Sequence, residues 1–235
     1  MNFSKKLILA LDFSESKEAL EWVRRLLPYV KIFKVGKQLF TSNGPQIIRD
    51  IYKEGGQVFL DLKYHDIPNT VAGACRKASE LGVFMLNVHA MGGLEMMQAA
   101  KTAIDESSKH KPLLIAVTVL TSFSEKNLKE VGISIPLKQL VLHYAKLAQN
   151  AGMDGVVCSV QEAKEIKEEC GKNFLVVVPG IRLEEKKVFK EDQKRSSSIK
   201  EALHSGADFL VLGRSLFQTK DPVSLLKKTL EAYGA

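Results

Sequence analysis

Cysteine is scarce. Cys75, Cys158 and Cys170 are scattered through 235 residues, and no two of them form a CxxC pair. An odd, sparse set argues against a disulfide framework and against a cysteine-based zinc site, and it points to a reducing compartment, the cytoplasm. Cys75 falls in a helical pattern and Cys158 in a strand pattern, both read as core. Long apolar runs are missing as well. None reaches the roughly 18 residues of a membrane span, so a membrane partner is not expected. The N-terminal stretch MNFSKKLILALDFSES has a short apolar piece behind two lysines, but Asp12 interrupts it after five residues and no small-residue cleavage site follows. It reads as a first strand and not as a signal peptide. No GxGxxG motif follows that strand, which weakens a dinucleotide-binding assignment. Aromatic residues are not interleaved with basic ones and there is no Arg-rich arm. The net charge of +7 therefore points to an anionic small substrate more than to nucleic acid. The basic cluster KKVFKEDQKR (186–195) reads as a solvated loop.

What is present is a regular alternation. Eight short, β-branched-rich apolar runs recur: LILALD (7–12), KIFKVG (31–36), QVFLDLK (57–63), FMLNVH (84–89), LLIAVTVL (113–120), DGVVCS (154–159), FLVVVPG (174–180) and DFLVLG (208–213). They are nearly continuous in apolar residues, as strands buried on both faces of a parallel sheet should be. Amphipathic helical stretches fall between them, at 16–29, 44–55, 69–82, 94–108, 137–152, 160–170, 199–207 and 222–233. In the first, Ala19, Leu20, Val23, Leu26 and Leu27 recur at the period of one helical face. Gly82, Gly152 and Gly206 separate helix from strand. Eight β-then-α units without a long linker predict an α/β protein, a (β/α)8 TIM barrel forming one domain over 1–235, with a doubly wound open sheet as the alternative. The repeat is structural, with no clear repeat in the sequence itself. The one long segment poor in apolar residues, 183–198, belongs to a lid or a substrate-binding loop.

In such barrels, function sits at the C-terminal ends of the strands. The chain places Asp12 at the end of strand one, Lys34 on strand two, Asp61 and Lys63 on strand three, and Asn87 and His89 at the end of strand four. Thr121 and Ser122 end strand five, Pro179, Gly180 and Arg182 strand seven, and Gly213 and Arg214 strand eight. Residues two apart on a strand share a face, so Asp61 and Lys63 are expected to meet. At roughly 4 Å and an effective dielectric of about 20, their attraction is on the order of 4 kcal/mol. One such pair could be a plain buried salt bridge, but four charges at one barrel mouth favour a site. The turns VPGIR (178–182) and LGRS (212–215) lie where barrels often hold phosphate: glycine lets backbone approach an anion, a helix N-terminus offers N–H donors, and arginine grips in a fork. The competing reading of LGRS is a glycine turn with a surface arginine.

The motifs LALD (9–12), KVG (34–36), DLKYHDIPNT (61–70), TVLTS (118–122), PGIR (179–182), DQKR (192–195) and LGRS (212–215), in that order, resemble the orotidine 5′-phosphate decarboxylase family along nearly the whole chain. The resemblance implies loss of CO2 from orotidine 5′-monophosphate to give uridine 5′-monophosphate, the last step of new pyrimidine nucleotide synthesis, with no metal ion and no organic cofactor. It implies Lys63 as the cation facing C6 and the proton donor, Asp61 holding Lys63 near the departing carboxylate, and Lys34 and Asp12 reaching the ribose. Thr121 and Ser122 would meet the pyrimidine; Arg182, Gln193, Gly213 and Arg214 would hold the phosphate, with 183–198 closing over it. It further implies a homodimer in which Asp66, Ile67 and Thr70 reach into the neighbouring subunit's site. His65 is assigned a supporting role in the loop. The rival within the superfamily is a Mg²⁺-dependent sugar-phosphate decarboxylase or synthase, which has an acidic ligand where this chain has Lys34. A catalytically silent nucleotide- or RNA-binding barrel is the rival of another class.

Overall fold

The computed structural model describes residues 3–107, 111–183 and 197–234. Eight parallel strands close into a barrel in the order β1-β10-β7-β6-β5-β4-β3-β2. The barrel strands are β1 (Leu7–Ala10), β2 (Ile32–Gly36), β3 (Gln57–Tyr64), β4 (Met85–His89), β5 (Leu113–Val117), β6 (Gly155–Val157), β7 (Leu175–Val178) and β10 (Phe209–Leu212). Two short pieces, β8 (Ile181–Arg182) and β9 (Ser197–Ser198), pair with each other above β7. Helices run between the strands: α1 (Ser16–Leu26), α2 (Lys37–Asn43), α3 (Gln46–Lys53), α4 (Pro68–Glu80), α5 (Gly93–Ser107), α6 (Glu125–Glu130), α7 (Leu137–Asn150), α8 (Val160–Cys170), α9 (Ile199–His204), α10 (Arg214–Phe217) and α11 (Pro222–Tyr233). The expected (β/α)8 barrel is the observed fold, and the open doubly wound sheet is not.

The strands read as continuous apolar runs because both of their faces are buried, yet a period of two is hidden inside them. Ile8, Ala10, Ile32, Phe59, Met85, Ile115, Val177, Phe209 and Val211 form one buried cluster, the filling of the barrel. Their chain neighbours, among them Leu7, Leu9, Phe33, Val35, Val58, Leu60, Leu86, Leu114, Val176 and Leu210, belong to a second cluster shared with the helices. The barrel is therefore a packed core and not a pore. Burying each of the larger side chains stabilises the fold by about 1.5–3 kcal/mol before entropy is counted.

Two local differences from the sequence expectation have physical causes. The single helix expected over 44–55 is the second of a pair. Gly44 adopts φ +60 between α2 and α3 and Pro45 caps α3, so the chain turns there. The sequence KQLFTSN of α2 is too short and too rich in Thr, Ser and Asn to announce itself by propensity. Likewise α6 is a short helix whose Ser124 and Asn127 side chains satisfy its first turn. It is not among the helices expected from the sequence.

The narrowest packing requirement in the barrel wall is at Gly155, level with Leu175 on β7. A Cβ there would lie 2.2 Å from the Leu175 carbonyl oxygen and 2.6 Å from its Cβ. Replacing Gly155 by Ala must push β6 and β7 apart. The Gly155→Ala variant should lose about 1–3 kcal/mol of unfolding free energy in urea titration. An unchanged midpoint would show that the two strands are not in this register.

Candidate active site

The inward row of the barrel is apolar at its lower levels and polar at its C-terminal level. Asp12 follows Ala10 by two residues, Lys34 follows Ile32, Asp61 follows Phe59 and Asn87 follows Met85. Register places Lys34 beside Ala10 and Asp61 beside Gly36. Side chains that would otherwise stack in dry hydrocarbon thus meet at the mouth of the barrel, where water and a ligand can enter.

Asp61 is the centre of the arrangement and is only 8% exposed. Its Oδ1 accepts from Lys63 Nζ at 2.6 Å and from Asn87 Nδ2 at 2.7 Å, and its Oδ2 lies 3.4 Å from Lys34 Nζ. Lys34 Nζ also donates to Asp12 Oδ1 at 3.1 Å. The charges alternate along Asp12, Lys34, Asp61 and Lys63. A buried carboxylate without partners would be protonated or would unfold its surroundings. Here burial pushes the Asp61 carboxyl up, but the ammonium groups of Lys34 and Lys63 and the hydrogen bonds overcome it and bring it down to about 2. Burial works against the charge on Lys34 too, and Asp61 and Asp12 outweigh it, so its affinity for the proton is raised.

Lys63 and Asp61 meet, as expected, but not on a regular strand. Leu60 pairs with Leu86, and the next paired residue of β3 is Tyr64, opposite Val88. β3 therefore advances four residues while β4 advances two. Within this bulge Lys63 has φ +52, and it is the one described non-glycine residue with positive φ. Its backbone N–H donates to Asn87 Oδ1 at 2.8 Å. Bulges re-aim side chains next to sites, and a lysine in the left-handed region is strained by about 1 kcal/mol or more. The extra chain length is what brings the Lys63 ammonium back over Asp61.

These groups open onto a cavity of about 240 Å³ lined by Asp12, Lys34, Asp61, Lys63 and Thr121 and, across the barrel, by two turns. The β7–β8 turn contributes Pro179, Gly180 and Ile181, and the β10–α10 turn Gly213, Arg214 and Ser215. Gly180 takes φ +75, a conformation that favours glycine. Ser215 Oγ donates to the Ile181 carbonyl at 2.8 Å and so ties the two turns together. The lining carries two carboxylates against three cations, a balance suited to an anion. Among the described residues, no cluster of three His, Cys, Asp or Glu could hold a metal ion.

Of the other residues singled out from the sequence, Ser122 follows Thr121 in the β5–α6 loop without lining this cavity, and Arg182 lies in β8 beyond its wall. Gln193 and most of 183–198 lie outside the described residues. Asp66, Ile67 and Thr70 are exposed at the start of α4 and do not reach the cavity of their own chain. His65 lies against His89 with the two rings tilted, their centroids 5.5 Å apart. His89 is held down to about 4 by burial, aided by His65, Lys63 and Lys37. Two participants carried no role in the sequence reading. Asn87 was legible only as a strand end, although its place two residues after Met85 puts it in the inward row. Ser215 gave no signal beyond its neighbour Arg214.

A closed parallel barrel with a cation-rich cavity at its C-terminal mouth places the chain in the class of (β/α)8 barrel enzymes. The comparison with known proteins narrows it. The profile described as "Orotidine 5'-phosphate decarboxylase / HUMPS family" matches residues 5–229, and the chain belongs to that family. It is 51% identical over 225 residues to a protein named orotidine 5′-phosphate decarboxylase from Legionella pneumophila (strain Corby), covering 96% of this chain and 97% of that one. It is 47% identical over 229 residues to the protein of the same name from Hydrogenovibrio crunogenus, covering 97% and 96%. The crystal structure of orotidine 5′-phosphate decarboxylase from Lactobacillus acidophilus superposes with a TM-score of 0.86 at 34% identity, covering 98% of this chain and all of that one.

The lowered Asp61 carboxyl has a consequence for stability. A carboxyl at about 2 in the folded chain, against 3.8 ordinarily, contributes about 2 kcal/mol that is complete above the unfolded value and lost as pH falls through the folded one. Unfolding free energy of the natural chain should therefore fall between pH 5 and pH 2 more steeply than that of Asp61→Asn, by about that amount. Parallel curves would mean that Asp61 is not paired as described.

Proposed function

We propose that this chain decarboxylates orotidine 5′-monophosphate to uridine 5′-monophosphate and CO2, with neither metal nor organic cofactor. The observation that carries the proposal is the Lys63 ammonium, held at 2.6 Å from buried Asp61 and facing a cavity whose far wall is the pair of glycine-bearing turns. Loss of CO2 from C6 leaves an electron pair in the plane of the pyrimidine, where the ring π system cannot delocalise it. Catalysis of such a step calls for a large differential stabilisation; enzymes ordinarily supply up to about 23 kcal/mol. Fixed charge in a water-poor pocket is the means available to these residues. Lys63 would oppose the growing negative charge and then deliver its proton to C6. Asp61 would hold that ammonium beside the departing carboxylate, and Lys34 and Asp12 would bind the ribose hydroxyls. Thr121 and Ser122 would meet the base, and Arg182, Gln193, Gly213 and Arg214 the phosphate. Closure of 183–198 over the phosphate would spend remote binding energy on organising the site.

Independence of metal is supported by the donor set. Asp61 has Lys34 on one oxygen and Lys63 and Asn87 on the other. A divalent cation entering there would meet two ammonium groups, which disfavours the Mg²⁺-dependent rival. Three buried thiols suit a cytoplasmic enzyme. The test is to supply orotidine 5′-monophosphate with a chelator present and follow the loss of its ultraviolet absorbance. Turnover should persist, and Lys63→Ala should abolish it while leaving nucleotide binding measurable. Near-normal turnover by Lys63→Ala would remove the lysine from its role, and loss of turnover on chelation would favour the metal-dependent rival.

The functional unit in this proposal is a two-fold homodimer. Ile67, next to Asp66, is 67% exposed and Met91, after β4, is 53% exposed, large apolar groups that a partner would cover. Asp66, Ile67 and Thr70 would then complete the partner's site. Mixing inactive Lys63→Ala with inactive Asp66→Asn should restore roughly a quarter of the natural activity, because half of randomly paired dimers carry one intact site of two. No recovery after subunit exchange would contradict a shared site.

A further inference from the structure

We infer that Asn87 is a positioning residue for the Lys63 ammonium, clamping the carboxylate and the bulged backbone that together aim it. The inference rests on the proposed role of Lys63 and adds to it a residue that would touch no substrate.

Asn87 is 1% exposed, and both ends of its amide are engaged. Its Oδ1 accepts the Lys63 backbone N–H at 2.8 Å, and its Nδ2 donates to Asp61 Oδ1 at 2.7 Å. That oxygen is the one that receives Lys63 Nζ. A single planar group thus fixes the root of the lysine side chain and the acceptor at its tip. The backbone bond is needed because Asn87 lies between Leu86 and Val88, opposite the stretch where β3 carries extra residues and Lys63 takes φ +52. A strained residue persists only where its surroundings over-determine it. An apolar residue at this position, continuing the row of Met85, would leave a buried N–H without its acceptor and Asp61 with one donor fewer. Merely filling the bulge would require only the first bond. The second, to the carboxylate, links the bulge to the chemistry, since a displacement of about 1 Å at a reacting group can cost on the order of a hundredfold in rate.

The experiment compares the natural chain, Asn87→Ala and Asn87→Asp on orotidine 5′-monophosphate across pH, with thermal melting of each. Asn87→Ala should lose about a hundredfold in kcat with KM changed only a few-fold. Asn87→Asp is nearly isosteric and keeps the acceptor for Lys63 N–H. Its carboxylate would repel Asp61 when ionised, but its protonated O–H could donate to Asp61 as the amide does. Lys34 and Lys63 flank Asp61, so the shared proton belongs on residue 87. Relative to the natural chain, the kcat of Asn87→Asp should be nearest to one at acid pH and fall as pH rises, while the ratio for Asn87→Ala stays flat. Dividing by the natural chain cancels titration of the substrate and of the remaining groups. A near-natural kcat for Asn87→Ala, or a pH-independent ratio for Asn87→Asp, would overturn the inference. If Asn87→Ala melts below assay temperature, the Asn87→Asp ratio decides alone. Failure of the natural chain to release CO2 would instead defeat the functional proposal.

Discussion

The Asp61 carboxylate, almost sealed from water between two ammonium groups, is the constraint on which the rest of the mouth depends. Taken alone, each charge in that cluster would be costly to bury. Together they compensate one another, and Asp61 is the shared member: removing it leaves Lys63 without its partner and Lys34 with Asp12 alone. The closed barrel makes the cluster possible. It brings β1, β2, β3 and β4 side by side, so that residues far apart in sequence, Asp12, Lys34, Asp61 and Asn87, gather at the mouth of the barrel. Below them the barrel is filled by Phe59, Met85 and Ile115, whose low dielectric strengthens every interaction above them.

Stability and function are separated along the strand axis. The lower levels and the outer faces supply burial, and Gly155 marks how closely adjacent strands approach there. The upper level uses part of that stability to hold strain and like-signed neighbours. Lys63 sits in a backbone region that lysine avoids, the ladder between β3 and β4 is interrupted, and His89 stays neutral beside several cations. None of these is favourable locally. The first two follow from aiming one ammonium group into a cavity whose opposite wall is joined through Ser215 and Ile181; the third comes mainly from the burial of His89.

Much of this was legible in the chain. Eight apolar runs gave eight barrel strands, and DLKYHD showed that charge begins where the apolar filling ends. The less legible parts have specific reasons. A lysine offers no sign that it will adopt positive φ, so Asp61 and Lys63 looked like an ordinary i, i+2 pair, whereas the bulge brings them together. The helix α2 has poor intrinsic propensity and is held by packing behind β2. Asn87 was hidden because one uncharged polar residue in an apolar run resembles a strand end. Ile67 is exposed next to Asp66, where the proposed two-fold partner would cover it; its role is read from the family resemblance and not from its own chemistry.

The most direct measurement is a crystal structure with a product-like nucleotide carrying a negatively charged or carbonyl substituent at C6. The account predicts Lys63 Nζ within about 3 Å of that substituent, Asp61 and Asn87 keeping their present contacts, and the phosphate between the β7–β8 and β10–α10 turns. A nucleotide bound with its base away from Lys63, or an ammonium turned out of the cavity, would contradict it.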